Sequence, residues 1–515
     1  MATDHVNTLP KQHSPWIEYE LPRFPALEQD IDVDVVVVGA GVTGITSAYL
    51  LRKAGVKVAL IDRARIASTD TARTTAHLTY VTDERLHTLV KHWGKDAARS
   101  FWEGGAAAID QIWALVRETG ADCDFRWVTG YLHESTRHGV HSDREKLEQD
   151  AHLAIELEFD AEFLERVPHV NRCGVRFPQQ ARFHPRKYLE ALVNAIPGDG
   201  SHVFENTAFE DVDERTTTVR ANGRRIRCNY LVVATHNPHM AGKRFLSATL
   251  FQTKLSLYTS YVLGAHLPPR AAPEALFWDT ADPYEYLRVD HRGDHEYAIL
   301  GGEDVKTGQE KNPEEVFHKL RQRLEERLPG ATVVHRWLGQ VVETADGLPY
   351  IGESAPSQFI ATGFSGNGWT LGTLAAMLAR DRYLKRRNPW FDLFRIDRRP
   401  FHGGLWRYVS ENVDYPYYFL RDRVAGAEEG TFEEIPPGEG RILKWQGKKV
   451  AAYRAEDGFL SVLSPVCTHL RCLVRWNGAD KTWDCPCHGS RFHPDGRVLS
   501  GPAESPLEKL QAPES

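Results

Sequence analysis

The stretch "VDVVVVGAGVTG" (33–44) constrains this chain more than any other: a run of β-branched residues leads into Gly39, Gly41 and Gly44, and "ITSAYLLRKAG" follows with helical spacing. That order reads as strand, tight turn and helix. Gly39 permits the turn, Gly41 lets a pyrophosphate approach the backbone beside Ala40, and Gly44 lets helix and strand pack closely, while the helix N-terminus offers oriented N–H groups. The implied ligand carries phosphate. A second strand, "KVALID", ends at Asp62 with Arg63 beside it, about 20 residues past the turn, where a carboxylate can accept hydrogen bonds from ribose hydroxyls. Strands, glycines and acid together predict an α/β domain with a dinucleotide site. NAD and FAD both satisfy the pattern at this point.

Far downstream lie "ADGLPYIGE" (345–353) and "FIATGFSGNGWTLGTLAAMLARD" (359–381), the second again strand, glycine-rich turn and helix but without the acid of a second dinucleotide site. At these residues the chain resembles the D-amino-acid oxidase and glycine oxidase superfamily of FAD-dependent oxidoreductases, in which an Asp-Gly-x-Pro segment and a later glycine turn return to cover the flavin. The matching residues are Asp346, Gly347, Pro349 and Gly352, then Gly363, Gly366, Asn367, Gly368, Trp369 and Thr370. "STDTARTTAHLT" (68–79), with Arg73, Thr74 and Thr75, resembles that family's polar flavin loop, and "YLVVATHNP" (230–238), with Ala234 and Thr235, resembles the strand that ends near the FAD. The resemblance implies FAD as cofactor and a Rossmann-like FAD-binding domain joined to an α+β substrate domain. In the polar loop the usual Ser, Arg and Asn are replaced by Arg73, Thr74, Thr75, Ala76 and His77. His77 stands where some relatives attach FAD covalently; a non-covalent contact or plain packing is the expectation.

Three of the seven cysteines, Cys123, Cys173 and Cys228, are scattered and read as buried thiols. The other four fall in one window, where "CTH" supplies Cys467 and His469 and "CPCH" supplies Cys485 and His488. Two thiolates and two imidazoles suit tetrahedral zinc; two loops that each pair one Cys with one His also suit a Rieske cluster. The neighbouring residues "CTHLRC", "CPCHGSRF" and "LSGPAESPL" closely resemble the Rieske proteins of cytochrome bc complexes. That resemblance implies a [2Fe-2S] cluster with Cys467 and Cys485 on one iron, His469 and His488 on the other, and a Cys472–Cys487 disulfide between the loops. It also implies that Ser490 donates to a cluster sulfide, and that Phe492 stands where high-potential members carry a tyrosine donor, a loss that lowers the potential. Upstream, "GRILKWQGKKVAAYRAEDGFLSVL" alternates apolar and polar residues between turns, so the module is all-β.

With 515 residues there is room for several domains. The reading is an N-terminal extension (1–30), an FAD-dependent oxidoreductase (31–390), a linker (391–424) and the Rieske domain (425–510). FAD-binding parts fall at about 31–90, 165–250 and 335–390, and the substrate domain at about 90–165 and 250–335. The basic and aromatic run "KRRNPWFDLFRIDRRPF" (385–401) reads as linker and domain seam, and residues 138–160 as an exposed amphipathic helix with a polar lead-in. A formal charge of −7 gives no basic excess for nucleic acid. Neither a signal-type N-terminus nor an apolar stretch of membrane-spanning length is seen, so no membrane span and a cytoplasmic location are expected.

In "PYEYLRV" (283–289) strand alternation puts Tyr284, Tyr286 and Arg288 on one face. Two phenols and a guanidinium over a flavin could clamp a substrate carboxylate; a half-buried strand with an ordinary salt bridge fits equally. Glu303, Asp304 and Lys306 either line the same cavity or finish a strand. The combined expectation is an FAD-dependent dehydrogenase that oxidises an amine, amino acid or hydroxy acid and relays electrons singly through the Rieske cluster to an external one-electron acceptor. The alternative is a redox sensor or electron-transfer protein without a small-molecule substrate, which predicts a closed space over the flavin. A Rieske oxygenase is disfavoured, because only about two dozen residues follow His488 to supply its mononuclear iron site.

Overall fold

Val35–Val38 is buried along its whole length at the centre of a six-stranded sheet. The order is Tyr350–Ala355, Gln358–Thr362, Tyr230–Val233, Val35–Val38, Val58–Ile61 and His202–Phe204; all neighbours run parallel except the first pair. Continuous apolar runs such as "VVVV" and "VALI" follow from this position, since a parallel strand is covered on both faces. The helices Val42–Lys53 and Gly368–Tyr383 pack together over one face, where Val35, Val37, Val58 and Leu60 join the main core. Val36, Val38, Ala59 and Ile61 face the other way, onto a small sheet made of Ile31–Asp32, Arg224–Arg227, Thr218–Ala221 and Phe209–Asp213. In this computed structural model of the chain the described residues are 10–511 apart from 138, 140, 141, 238–252, 293, 294, 399–403, 413–416, 419, 420 and 422–429.

A nine-stranded mixed sheet stands beside the nucleotide sheet. Its path is Thr332–Thr344, Leu255–Leu267, His295–Lys306, Tyr286–Arg292, Ala275–Asp279, Arg126–His133, Gly174–Arg182 and His77–Leu78, with Glu162–Leu164 paired to Gly174–Arg182. Among its described strands, Ala275–Asp279 and Arg126–His133 form the one parallel pair. Two strands reach outside the bounds of about 90–165 and 250–335 expected for the substrate domain. Thr332–Thr344 pairs with Leu255–Leu267 from end to end, and Gly174–Arg182 with Arg126–His133, so both strands belong to the substrate sheet. The chain is thus an α/β domain built on the parallel sheet, joined to an α+β domain built on the mixed sheet.

The C-terminal module is all-β, with antiparallel sheets Glu439–Trp445, Lys448–Arg454, Leu460–Leu463 and Arg475–Asn477, Thr482–Asp484, Arg491–Phe492, Val498–Ser500. The segment read as linker is a seam up to residue 398: Phe394 is fully buried, Trp390 and Phe391 pack on the main core, and Arg398 is tied to Asp346. Much of 399–429 lies outside the described residues. The helix expected in 138–160 is Arg144–Glu156, with Leu147, Ala151 and Ala154 buried. Among the described residues no helix is long and apolar enough to cross a membrane.

Candidate cofactor and active site

At the end of Val35–Val38 the backbone turns at Gly39 with φ +98°, and a Cβ there would stand 2.6 Å from the carbonyl oxygen of Ala234. A Cβ on Gly41 would stand 2.9 Å from Thr71 Oγ1, so the turn leaves a cradle in front of the helix N-terminus that any side chain would narrow. Gly44 sits against the carbonyl of Gly39, which fixes how closely the helix packs. Asp62 braces the turn: one carboxylate oxygen accepts from Ala40 N at 2.7 Å, the other from Ala64 N at 2.8 Å. Burial raises its pKa against those two hydrogen bonds, and each oxygen keeps a lone pair for a ribose hydroxyl.

The polar loop is held from outside by its own backbone. Five consecutive carbonyls each receive a side-chain donor: Ala72 from Ser14 Oγ, Arg73 from Trp337 Nε1 at 2.8 Å, Thr74 from Trp16 Nε1 at 2.7 Å, and Thr75 and Ala76 from Arg288 Nη1 at 3.0 and 2.8 Å. Pinned in this way, the loop turns Thr71, Thr74, Thr75 and His77 toward a cavity of about 1580 Å³. Burial, reinforced by the charge of Arg288, lowers the His77 pKa to about 3. Its ring is therefore neutral; Nδ1 hydrogen-bonds Thr75 Oγ1 at 2.9 Å, the ring lies by the Leu287 backbone, and among the described residues its buried Nε2 has no partner in hydrogen-bonding geometry at the cavity wall.

That cavity runs from Asp62 and Arg63 at one end to Tyr284, Tyr286, Asp83 and Asp304 at the other. Asp83 accepts from Tyr284 Oη at 3.0 Å and from Gly366 N at 2.6 Å. Ser260 and Tyr286 share a hydrogen bond of 2.8 Å, and the Ser260 hydroxyl also lies beside Asp304. Burial raises the pKa of both carboxyls, that of Asp304 to about 6, with the negative charge of Asp83 adding to the shift. Burial first, then those carboxylates, pushes Tyr284 and Tyr286 well above the ordinary phenol range.

In the C-terminal module, Cys467 and Cys485 are buried and hydrogen-bond each other, which lowers the pKa of Cys467 and raises that of Cys485. The rings of His469 and His488 lie 4.9 Å apart at 87°. Burial, with His469 and Lys306 adding, takes the His488 pKa down to about 3, the neutral state in which imidazole binds metal. Cys472 and Cys487 form a disulfide that ties the two loops. The Ser490 hydroxyl is fully buried, accepts from Ala503 N at 3.1 Å and lies beside Cys467.

The two sites share a wall. Gln340, buried in Thr332–Thr344, lines the cavity and donates through Nε2 to the carbonyl of Gly489 at 2.9 Å, next to His488. Its Oε1 accepts from Ser500 Oγ at 2.9 Å. Leu499, Ser500 and Gly501 also line the cavity, and Arg63 donates to the carbonyl of Leu499. Gln309 donates to Pro486 O at 3.1 Å, and Arg73 pairs with Asp480.

Residues 34–382 match the FAD dependent oxidoreductase family, DAO. The chain belongs to that family. Residues 428–511 match the Rieske [2Fe-2S] domain, so this family member carries both modules and binds FAD and a Rieske cluster. It is 33% identical over 95% of its length, and 96% of the other's, to YhfW of Bacillus subtilis (strain 168), whose name calls it a Rieske 2Fe-2S iron-sulfur protein. It is 25% identical to the gamma-glutamylputrescine oxidoreductase of Escherichia coli (strain K12), over 78% of this chain and 95% of that one. Glycine oxidase from Geobacillus kaustophilus shares the fold at 18% identity, with a TM-score of 0.59 covering 72% of this chain and 99% of that chain.

For an FAD-dependent oxidoreductase of this family, the glycine cradle, the neutral His77 ring at the cavity wall and a cavity of about 1580 Å³ fit the dinucleotide. The buried thiol pair and facing imidazoles fit the cluster. Of the residues expected at FAD, the cavity lining includes Gly39, Gly41, Asp62, Arg63, Arg73, Thr74, Thr75, Ala234, Thr235, Gly366, Asn367, Gly368 and Trp369. Ala40 and Gly44 act behind the turn, and Thr370 donates to Thr79 O at 2.9 Å instead. Asp346 and Gly347 are corrected: they do not line the cavity, and both Asp346 oxygens are taken by Arg398 at 2.8 Å. Arg288 is corrected too. It is 1% exposed, grips Asp290 with two donors at 2.6 and 2.9 Å and the carbonyls of Thr75, Ala76 and Phe183 with the rest, so it cannot reach a substrate carboxylate. Asp83, Thr71 and Gln340 were missed by sequence reasoning. Gln340 carried a signal, as a polar residue on a strand otherwise apolar from 337 to 342.

Proposed function

We propose that this chain is an FAD-dependent dehydrogenase of small organic C–H donors, whose electrons leave one at a time through the Rieske cluster to an external one-electron acceptor. FAD supplies a two-electron hydride acceptor and the cluster a one-electron carrier. The observation that carries the reading is Gln340, a single buried side chain that faces the cavity and binds the carbonyl between His488 and Ser490. Thr307 accepts from the same amide at 3.1 Å, so this contact is fixed from both domains. Leu499, Ser500 and Gly501 line the cavity on that side. Tyr284 and Tyr286 bind and orient the donor at the far end. The relative named as acting on gamma-glutamylputrescine supports an amine over a hydroxy acid as the donor class.

A redox sensor without a substrate would have little use for a polar cavity end with Asp83, Asp304 and two phenols. The test is anaerobic mixing of the holoprotein with amines, amino acids and hydroxy acids, following flavin absorbance and the cluster's EPR signal together. One class of donor should bleach the flavin and then reduce the cluster. Bleaching with a cluster that stays oxidised overturns the relay, and a flavin that no donor bleaches overturns the dehydrogenase.

A further inference from the structure

We propose that the inner end of the cavity, walled by Asp83, Asp304, Tyr284 and Tyr286, takes a cationic amine with no carboxylate beside its reacting carbon; this deepens, and rests on, the dehydrogenase reading. The argument begins with charge. Two carboxylates face this end, and neither has a basic side chain within ion-pair distance among the described residues. The surrounding cations pair with other acids: Lys306 with Glu411 at 2.9 Å, Arg407 with Glu343 at 2.7 Å and Glu84 at 3.5 Å, and Arg85, on the cavity wall, with Asp143 and with Asp150 at 2.7 Å; of these only Arg407 lowers the pKa of Asp83. Arg288, the guanidinium on the neighbouring strand, is turned under the flavin loop.

A second observation points to a donor that is missing from the protein itself. Ser260 hydrogen-bonds the Asp304 carboxylate, and among the described residues no donor reaches its buried Oδ1. An unsatisfied buried acceptor of this kind costs stability unless something supplies a proton. An ammonium, with donors and no acceptor, answers it and the free lone pairs of Asp83 together. A carboxylate would meet two like charges instead. Beyond the acids the wall turns apolar, with Trp102, Leu132, Phe177 and Trp278, which suits the hydrocarbon part of an amine.

The acids also have work after binding. An amine enters protonated, and its nitrogen must give up a proton before a C–H bond beside it can break. Asp304 Oδ1 is placed to hold that proton. With a pKa raised by burial to about 6, its carboxyl is ionised at neutral pH and still basic enough to be a useful acceptor.

The test is titration calorimetry of the holoprotein with butylamine and 1,4-diaminobutane against glycine, proline and lactate, beside anaerobic flavin bleaching by the same compounds. Amines should bind at least tenfold more tightly than the acids, and Asp83→Asn and Asp304→Asn should each weaken amine binding tenfold or more with FAD content unchanged. Asp304→Glu, which keeps the charge, should retain the preference for amines and guards against loss through misfolding. If glycine, proline or lactate binds as tightly as butylamine, or no amine binds, the proposal falls whatever the variants do. If acids bleach the flavin and amines do not, this proposal fails while the dehydrogenase stands. Amine binding that depends on the aspartates without bleaching or cluster reduction would do the reverse.

Discussion

Arg288 is a positioning residue whose five donors all serve other protein groups. It binds the carbonyls of Thr75, Ala76 and Phe183 and the carboxylate of Asp290, with the Trp16 ring 5.3 Å from its guanidinium. Arg288→Met should therefore leave two loop carbonyls and a buried acid short of partners. Breaking a buried pair costs about 3–5 kcal/mol, here moderated because Arg292 still reaches Asp290 at 2.8 Å. The expected outcome is a lower melting temperature and FAD lost on desalting; a variant that keeps its flavin would show that the loop holds itself. Asp304 predicts the opposite sign. Its pKa is raised from 3.8 to about 6, so the fold favours the neutral acid, and stability falls as pH rises through that window. Asp304→Asn should then be more thermostable than the parent at pH 8, by up to about 3 kcal/mol, and equal to it below pH 4. Melting curves at the two pH values check it, while the loss of amine binding runs the other way.

The strand Thr332–Thr344 links the domains, because it edges the substrate sheet and carries Gln340 into the contact with Gly489 and Ser500. Gln340→Leu keeps the shape but strands a buried carbonyl and hydroxyl, a loss of about 1–3 kcal/mol each at most. Stopped-flow should find flavin bleaching nearly unchanged and cluster reduction slowed; equal rates would remove Gln340 from the path. Such an element also marks the limit of what was legible beforehand. Val35–Val38 with Gly39, and the Cys467 and Cys485 loops, were readable because each site is built from residues close in sequence. Arg288 was left open between a clamp and an ordinary salt bridge, because alternation fixes the face of a strand but not what covers it, and Trp16 and residues 75 and 76 arrive from far away. Asp346 failed for the same reason: its partner Arg398 lies 52 residues on, in a stretch read as linker. Asp83, in "VTDERL", had no spacing or motif to set it apart.

At the scale of the molecule the two modules are joined through a buried acid. Asp480 of the Rieske domain sits between Arg491 of the same domain and Arg73 of the flavin loop. Burial alone would raise its pKa; the charges of Arg73 and Arg491 overcome that and bring it from 3.8 down to about 2. A depressed carboxyl pKa stabilises the fold above the unfolded value, and that contribution is lost as pH falls from about 4 through 2, to a total of about 2.5 kcal/mol. Acid should thus loosen the docked Rieske domain. Asp480→Asn should bring the same loosening at neutral pH, since both arginines then face a neutral amide. Because Leu499, Ser500 and Gly501 form part of the cavity wall, the variant should release FAD more readily as well as slow cluster reduction. Asp495→Asn is the control. Its pair with Arg497 is 45% and 73% exposed, and such pairs contribute about 0–1 kcal/mol. FAD release measured by fluorescence after dilution, from pH 7 to 3, separates the two. Equal release from the Asp480 and Asp495 variants would mean that the arginine bridge does not hold the domains together, and the shared wall would then have to rest on Gln340 and the close approach of Gly489 to Leu257, where an added Cβ would stand 2.6 Å from the Leu257 Cβ.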